Sequence, residues 1–218
     1  MIALNILLTV CAALGYGFGI FSFFRGKPPL YVSLIVYGVG CAMVGRLFET
    51  LQLFINGEFT GDFQVGMFGV IGSFLFFFSA NYGQMDSLVD DGSAKYRKYR
   101  IIALLAPLAA VLMYVGFVIV EGFGKAAVIR GLETLLIASA AYFHLKHLII
   151  PDVENGIISC IRSYNLLGLL YAFLCMAENL LQVIPLPNFA MIILYLMLSA
   201  VTLLIVPVLW RGVKKWTT

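Results

Sequence analysis

The sequence predicts an all-α integral membrane protein of seven transmembrane helices, with the N-terminus outside and the C-terminus inside. Three observations carry this expectation. Of 218 residues, 62% are hydrophobic and 11% charged, with a mean hydropathy of +1.00, far from the composition of a soluble domain. Seven apolar runs are each long enough to cross a hydrocarbon core about 30 Å thick, which takes roughly 17 to 25 helical residues. The basic residues gather on one side of those runs.

The spans are expected at 2–24, 30–55, 64–82, 101–121, 126–148, 160–184 and 188–210. No Lys or Arg precedes the first, and it is longer than the apolar region of a signal peptide, so it is retained as a span. The second is interrupted by the charged stretch GRLFETLQLF (45–54), and the third is rich in small residues, Gly66, Gly69, Gly72 and Ser73. Between the third and fourth lies the longest polar segment, about Tyr82 to Arg100. The outer connections, INGEFTGDF, EGFGK and IPLPN, are too short to form a binding domain, so any signalling output has to pass through a partner.

Orientation follows from charge. With the N-terminus outside, the inner segments carry Arg25, Lys27, Lys95, Arg97, Lys98, Arg100, Lys146, Arg162, Arg211, Lys214 and Lys215, and the outer ones only Lys125 and Arg130. The cluster YRKYR (96–100) reads as a stop-transfer flank that meets anionic lipid headgroups. The net charge of +3 therefore reflects topology, and no nucleic-acid partner is expected. The compartment is read as the plasma (cytoplasmic) membrane. The partners are the lipid bilayer, a small polar solute, and a second copy or another membrane protein. Cys11, Cys41, Cys160 and Cys175 fall in or at the edge of spans, where small buried thiols are expected rather than disulfides.

An internal repeat is one reading of the order of spans. Spans two and six both run inside to outside, and FETLQLFI and AENLLQVI each place a glutamate six residues before an isoleucine at the exit. Residues 1–82 and 126–210 then form two parallel three-helix repeats joined by helix 4 (101–121), within a single domain spanning 1–218. Chance similarity between two leucine-rich helices is the other reading. The helix count and the Glu49/Glu178 match resemble the topology of SWEET sugar transporters, although the Pro-Gln motif of that family is missing from spans one and five.

Ionisable residues inside the spans are the main functional signal. At 1.5 Å per residue, Glu49, Glu133 and Glu178 lie roughly 9 to 11 Å below the outer boundary, on three different helices. Arg46 and Arg130 each precede a glutamate by three residues, which makes them neighbours on the helix surface. An ionised side chain facing lipid costs at least about 2.5 to 3.5 kcal/mol, so these residues are expected to converge on the bundle interior. Either they form a salt-bridge cluster that fixes helix register, or they line a polar pocket open to the outside. On the second reading the ligand-binding residues are Arg46, Glu49, Gln52, Arg130, Glu133, Tyr171, Glu178, Asn179 and Gln182. Tyr164, Gly168, Tyr171, Cys175, Glu178 and Gln182 follow one helical face, and Glu133, Ala140, His144 and His147 form a second stripe.

His144 and His147 supply at most two metal ligands from one helix, so no metal is expected and a proton relay is the functional alternative to a structural role. Three carboxylates against two guanidiniums leave the cluster at minus one. Glu178 has no arginine on its own helix and is the expected surplus charge, to be met by a proton or by a cationic ligand. The last span contains no lysine for a retinal Schiff base, and no Walker motif, GxGxxG sequence or zinc-hydrolase ligand set is present, so neither a cofactor nor an enzymatic role is expected. The two readings left are a transporter of a small polar or cationic solute and a seven-helix sensor or regulatory subunit that signals through a partner.

Overall fold

A computed structural model of the chain describes residues 2–23, 28–57, 65–151, 156–184 and 188–217. The inner charges Arg25 and Lys27 and most of the outer segments INGEFTGDF and IPLPN lie outside the described residues. All described secondary structure is helical: α1 Ile2–Phe23, α2 Leu30–Asn56, α3 Met67–Ala80, a π-helical turn Asn81–Met85, α4 Asp86–Val89, a 3-10 turn Ala94–Tyr96, α5 Arg97–Ala103, α6 Leu105–Glu121, α7 Lys125–Ile149, α8 Ile157–Leu181 and α9 Asn188–Thr217.

Among the described residues, six helical stretches are long and apolar enough to cross a membrane: Ile2–Phe23, Leu30–Asn56, Ala94–Glu121, Lys125–Ile149, Ile158–Leu181 and Asn188–Lys215. The expected third span differs. Its α-helix holds for only 14 residues and then widens into the π turn. Met85 at the end of NYGQM still packs in the core, and the widened turn brings the Asn81 amide 3.0 Å from His144 Nδ1 on α7. Boundaries also shift elsewhere. The last helix runs on to Thr217 rather than ending at 210, and α8 stops at Leu181 rather than 184. Gly57 ends α2 at φ +78°, its N–H bonded to Leu53 O, a left-handed cap that glycine adopts without steric cost.

The helices pack in the cyclic order α1, α2, α3, α7, α8, α9, with α9 returning onto α1, while α6 lies outside against α7 and α8. Phe74, Phe77, Tyr164, Tyr171 and Tyr195 fill the interior, while large apolar side chains such as Phe21, Val44, Leu112 and Ile119 face outward. Charged residues reverse that distribution, with Arg46, Glu49, Glu133 and Glu178 each no more than 5% exposed. An apolar exterior around an ionised interior suits lipid as the surrounding solvent, and together with the six spans it marks a multi-pass integral membrane protein.

Close approach of α2 and α3 depends on small residues. A Cβ on Gly45 would stand 2.5 Å from Gly66 O, and one on Gly69 would stand 2.6 Å from Cys41 O. The backbones touch directly along this seam, a small-residue crossing of the kind common between membrane helices.

Candidate functional site

Arg46 organises the interior at the end of the bundle that carries the 121–125 turn. Its Nη1 donates to Glu49 Oε2 at 2.9 Å, one turn along α2, and to Glu178 Oε1 at 2.7 Å on α8. Its Nη2 donates to Glu178 Oε2, so the guanidinium forks onto the α8 carboxylate. Gly66, the residue that precedes α3, leaves the space that the Glu49 side chain occupies, since a Cβ there would collide with the carboxylate. Thr50 Oγ1 bonds Arg46 O at 2.8 Å and meets Thr9 Oγ1 at 2.9 Å, tying this turn of α2 to α1.

Beside this group lies a second. Arg130 Nη1 donates to Glu133 Oε2 at 2.9 Å, Asn179 Nδ2 donates to the same oxygen at 3.0 Å, and Arg130 Nη2 reaches Gln182 Oε1 at 3.1 Å. Arg46, Glu49, Arg130, Glu133, Glu178, Asn179 and Gln182, with Met67 and Val70, line one cavity of about 10 Å³. That is room for about one water molecule. The groups fill the space with one another, and Phe74, Phe77 and Tyr171 pack the ring interior. Of the other sequence candidates, Gln52 is half-buried away from this cavity, and Tyr171 stacks on Phe74 at 5.1 Å.

The expectation that Glu178 carries the surplus charge is corrected by this geometry. Spacing along the chain put Arg46 beside Glu49 only, but the guanidinium reaches across the ring and spends both nitrogens on Glu178. Glu49 shares a single nitrogen of that arginine. The surplus negative charge therefore falls on Glu49.

His144 and His147 lie toward the opposite end. His144 Nδ1 is 2.9 Å from Asn165 Oδ1, and Gly168 leaves the space beneath its ring. His147 Nε2 is 3.2 Å from Asp86 Oδ1. Lys146, expected as an inner-loop charge, is instead buried, with Nζ 2.7 Å from both Asp86 Oδ1 and Asp90 Oδ2, and Arg100 of the YRKYR cluster adds a 3.0 Å pair to Asp90. Burial pushes the Asp90 carboxyl up. Hydrogen bonds from Lys146 and the Gly92 N–H, with the Lys146 and Arg100 charges, outweigh it and hold the group below the usual carboxylate range. A depressed carboxyl contributes stability above its unfolded value of about 3.9 and loses it as pH falls through the folded value. Acid melts below about pH 4 should therefore show a steeper loss of stability in wild type than in Asp90→Asn, which lacks the titrating group.

Sequence reasoning missed four contributors. Tyr195 of α9 makes a further polar contact with Glu178, and its signal was the Tyr195, Ser199, Thr202 stripe, all three buried. Asp86 and Asp90, spaced to meet one lysine, lay in a segment read as loop. Gly66 stands in the sequence only as one small residue of the expected third span, with nothing to mark the carboxylate it admits. In comparisons with known proteins the chain matches no family model, no curated protein and no solved structure.

Proposed function

We propose that the chain is a seven-span carrier of the plasma membrane, N-terminus outside, that binds a small cationic or polar solute at the Arg46, Glu49, Glu133, Glu178 cluster and moves it through the ring. The observation that carries this reading is the charge count: three carboxylates and two guanidiniums, desolvated together around a cavity of about 10 Å³. A water-poor site does not hold an unbalanced carboxylate at low cost, and a cationic group of the solute completes it. The third span is α3 with the π turn, Met67 to Met85, about 28 Å at 1.5 Å per residue. The cyclic helix order, with α6 outside it, supports two three-helix repeats joined by helix 4, and the matched residues Glu49 and Glu178 meet on Arg46.

The test is uptake in proteoliposomes over a panel of amines, amino acids and sugars. Glu49→Gln should keep the melting temperature close to wild type while abolishing uptake of the cationic solute. Glu178→Gln should lower the melting temperature, because it breaks the forked pair. A larger melting loss in Glu49→Gln than in Glu178→Gln would return the surplus charge to Glu178, and equal losses would remove the assignment to Glu49. The sensor reading is favoured by one observation, the closing of the ring below the cluster by Phe74, Phe77 and Tyr171. Saturable binding without flux would select it.

Orientation is checked by an impermeant thiol reagent on intact cells, in a background whose four cysteines are replaced by alanine. Phe123→Cys, at an exposed site in the 121–125 turn, should label from outside, and Ala94→Cys should not. The reverse pattern would invert the topology.

A further inference from the structure

At the end of the bundle opposite the charged cluster, several buried polar atoms have no hydrogen-bond partner among the described residues: Tyr31 Oη, Tyr164 Oη and His144 Nε2. They are contiguous. The Tyr31 and Tyr164 rings meet edge to face at 6.0 Å, and Tyr164 meets His144 at 5.4 Å. A buried polar group left without a partner is costly, so three in a row point to a partner that arrives from outside the chain.

The imidazole has a definite polarity. Asn165 Nδ2 donates to Ile161 O at 3.2 Å, which fixes its amide so that Oδ1 faces His144 Nδ1. Nδ1 therefore carries the hydrogen. The Asn81 amide, its Nδ2 drawn 3.0 Å from that nitrogen and its Oδ1 unpartnered, fits the Nδ1–H once turned over to present the oxygen. Among the described residues no carboxylate is hydrogen-bonded to the ring. Nε2 is left as a fully buried acceptor, with Phe77 and Tyr164 against the ring.

The same end carries a cavity. It measures about 170 Å³ and lies between the start of α2 (Tyr31), the π turn (Gln84, Met85), α8 (Cys160, Ile161) and α9 (Val213). Tyr31 forms part of its wall, and Tyr164 and His144 stand behind that ring.

We propose that His144 Nε2, with the Tyr164 and Tyr31 hydroxyls, forms a second binding station on the solute path, reached from this cavity, and that it takes a small ammonium ion through an N–H donor. The proposal rests on the carrier reading for the positive charge of the solute. Its own contribution is the requirement for a hydrogen on that charge. Nε2 offers a lone pair and the hydroxyls can accept, whereas a quaternary ammonium has no hydrogen to give them. Aromatic faces alone would bind both kinds of cation.

The test uses the full chain in lipid nanodiscs, with 15N-labelled histidine, and methylammonium and tetramethylammonium chloride as probes. The chain has two histidines, so His147→Gln assigns the His144 signals. The Nε2 resonance of His144 should move saturably with methylammonium and stay still with tetramethylammonium. By calorimetric titration, His144→Phe should weaken methylammonium binding about tenfold or more, and His144→Gln, which can keep an acceptor oxygen, should restore most of it. If methylammonium binds, is lost in Glu49→Gln, and leaves Nε2 and both His144 variants unaffected, the second station is wrong and the carrier reading stands. Equal response to both cations overturns the N–H requirement. Absence of binding and of uptake for either cation overturns the ligand class of both sites.

Discussion

Replacing Arg46 with leucine is expected to lower stability by about 3 to 5 kcal/mol, the range found when one partner of a buried ion pair is removed. The cost comes from what is left behind. Glu49 and Glu178 are 5% and 4% exposed, and each would lose its guanidinium. Rescue should follow the geometry. Arg46→Leu with Glu178→Gln should recover more than Arg46→Leu with Glu49→Gln, because Glu178 holds both guanidinium nitrogens and Glu49 only one. Removing both carboxylates together with the arginine should recover most. Unfolding in detergent of the single, double and triple variants measures this directly. A cycle in which Arg46 and Glu178 show no coupling would remove the cross-ring pair, and with it the assignment of the surplus charge to Glu49.

The same pair marks the limit of what the sequence could convey. Periodicity and hydropathy were enough to place six of the spans, because each is a long apolar run whose ends are flanked by charge or glycine. The cost of ionised groups in lipid was enough to send Arg46, Glu49, Glu133 and Glu178 inward, where the structure puts them. Partner choice was not legible. On one helix Arg46 has a single neighbour at three residues, and nothing along the chain says that α8 stands opposite α2 at a distance its fork can bridge. The early end of the α-helix in the expected third span was illegible for a related reason. Its π turn is favoured by a tertiary contact, Asn81 on His144, while the local sequence NYGQM suggests only where helix would weaken. Lys146 shows the converse error, since a basic residue near a helix end reads as a headgroup contact until the acids that bury it, Asp86 and Asp90, are seen to fold back onto it.

Gly69→Val should be as damaging as the loss of Arg46, by a different route. A Cβ at position 69 would lie 2.6 Å from Cys41 O and 2.7 Å from Gly45 N, both backbone atoms that cannot rotate away. Ordinary contact begins near 3.5 Å, so α2 and α3 would have to separate by about 1 Å, and the two methyls of valine add to that. Overpacking of this kind costs about 1 to 3 kcal/mol where side chains can adjust, and more is expected where backbones meet. The functional consequence follows from Gly66, three residues before Gly69 at the N-cap of α3, whose missing Cβ admits the Glu49 side chain. Separating the helices shifts α2 with both Arg46 and Glu49 on it, which moves that pair relative to Glu178 on α8 and opens the cluster, so on the carrier reading solute binding should fall along with stability. Gly17→Ala is the control, because nothing lies within 4 Å of a Cβ there and a helical glycine replaced by alanine gains about 0.5 to 1 kcal/mol. Melting curves in which Gly69→Val behaves like Gly17→Ala would mean that α2 and α3 do not cross at Gly45 and Gly69, and the position of Glu49 in the site would fall with that crossing.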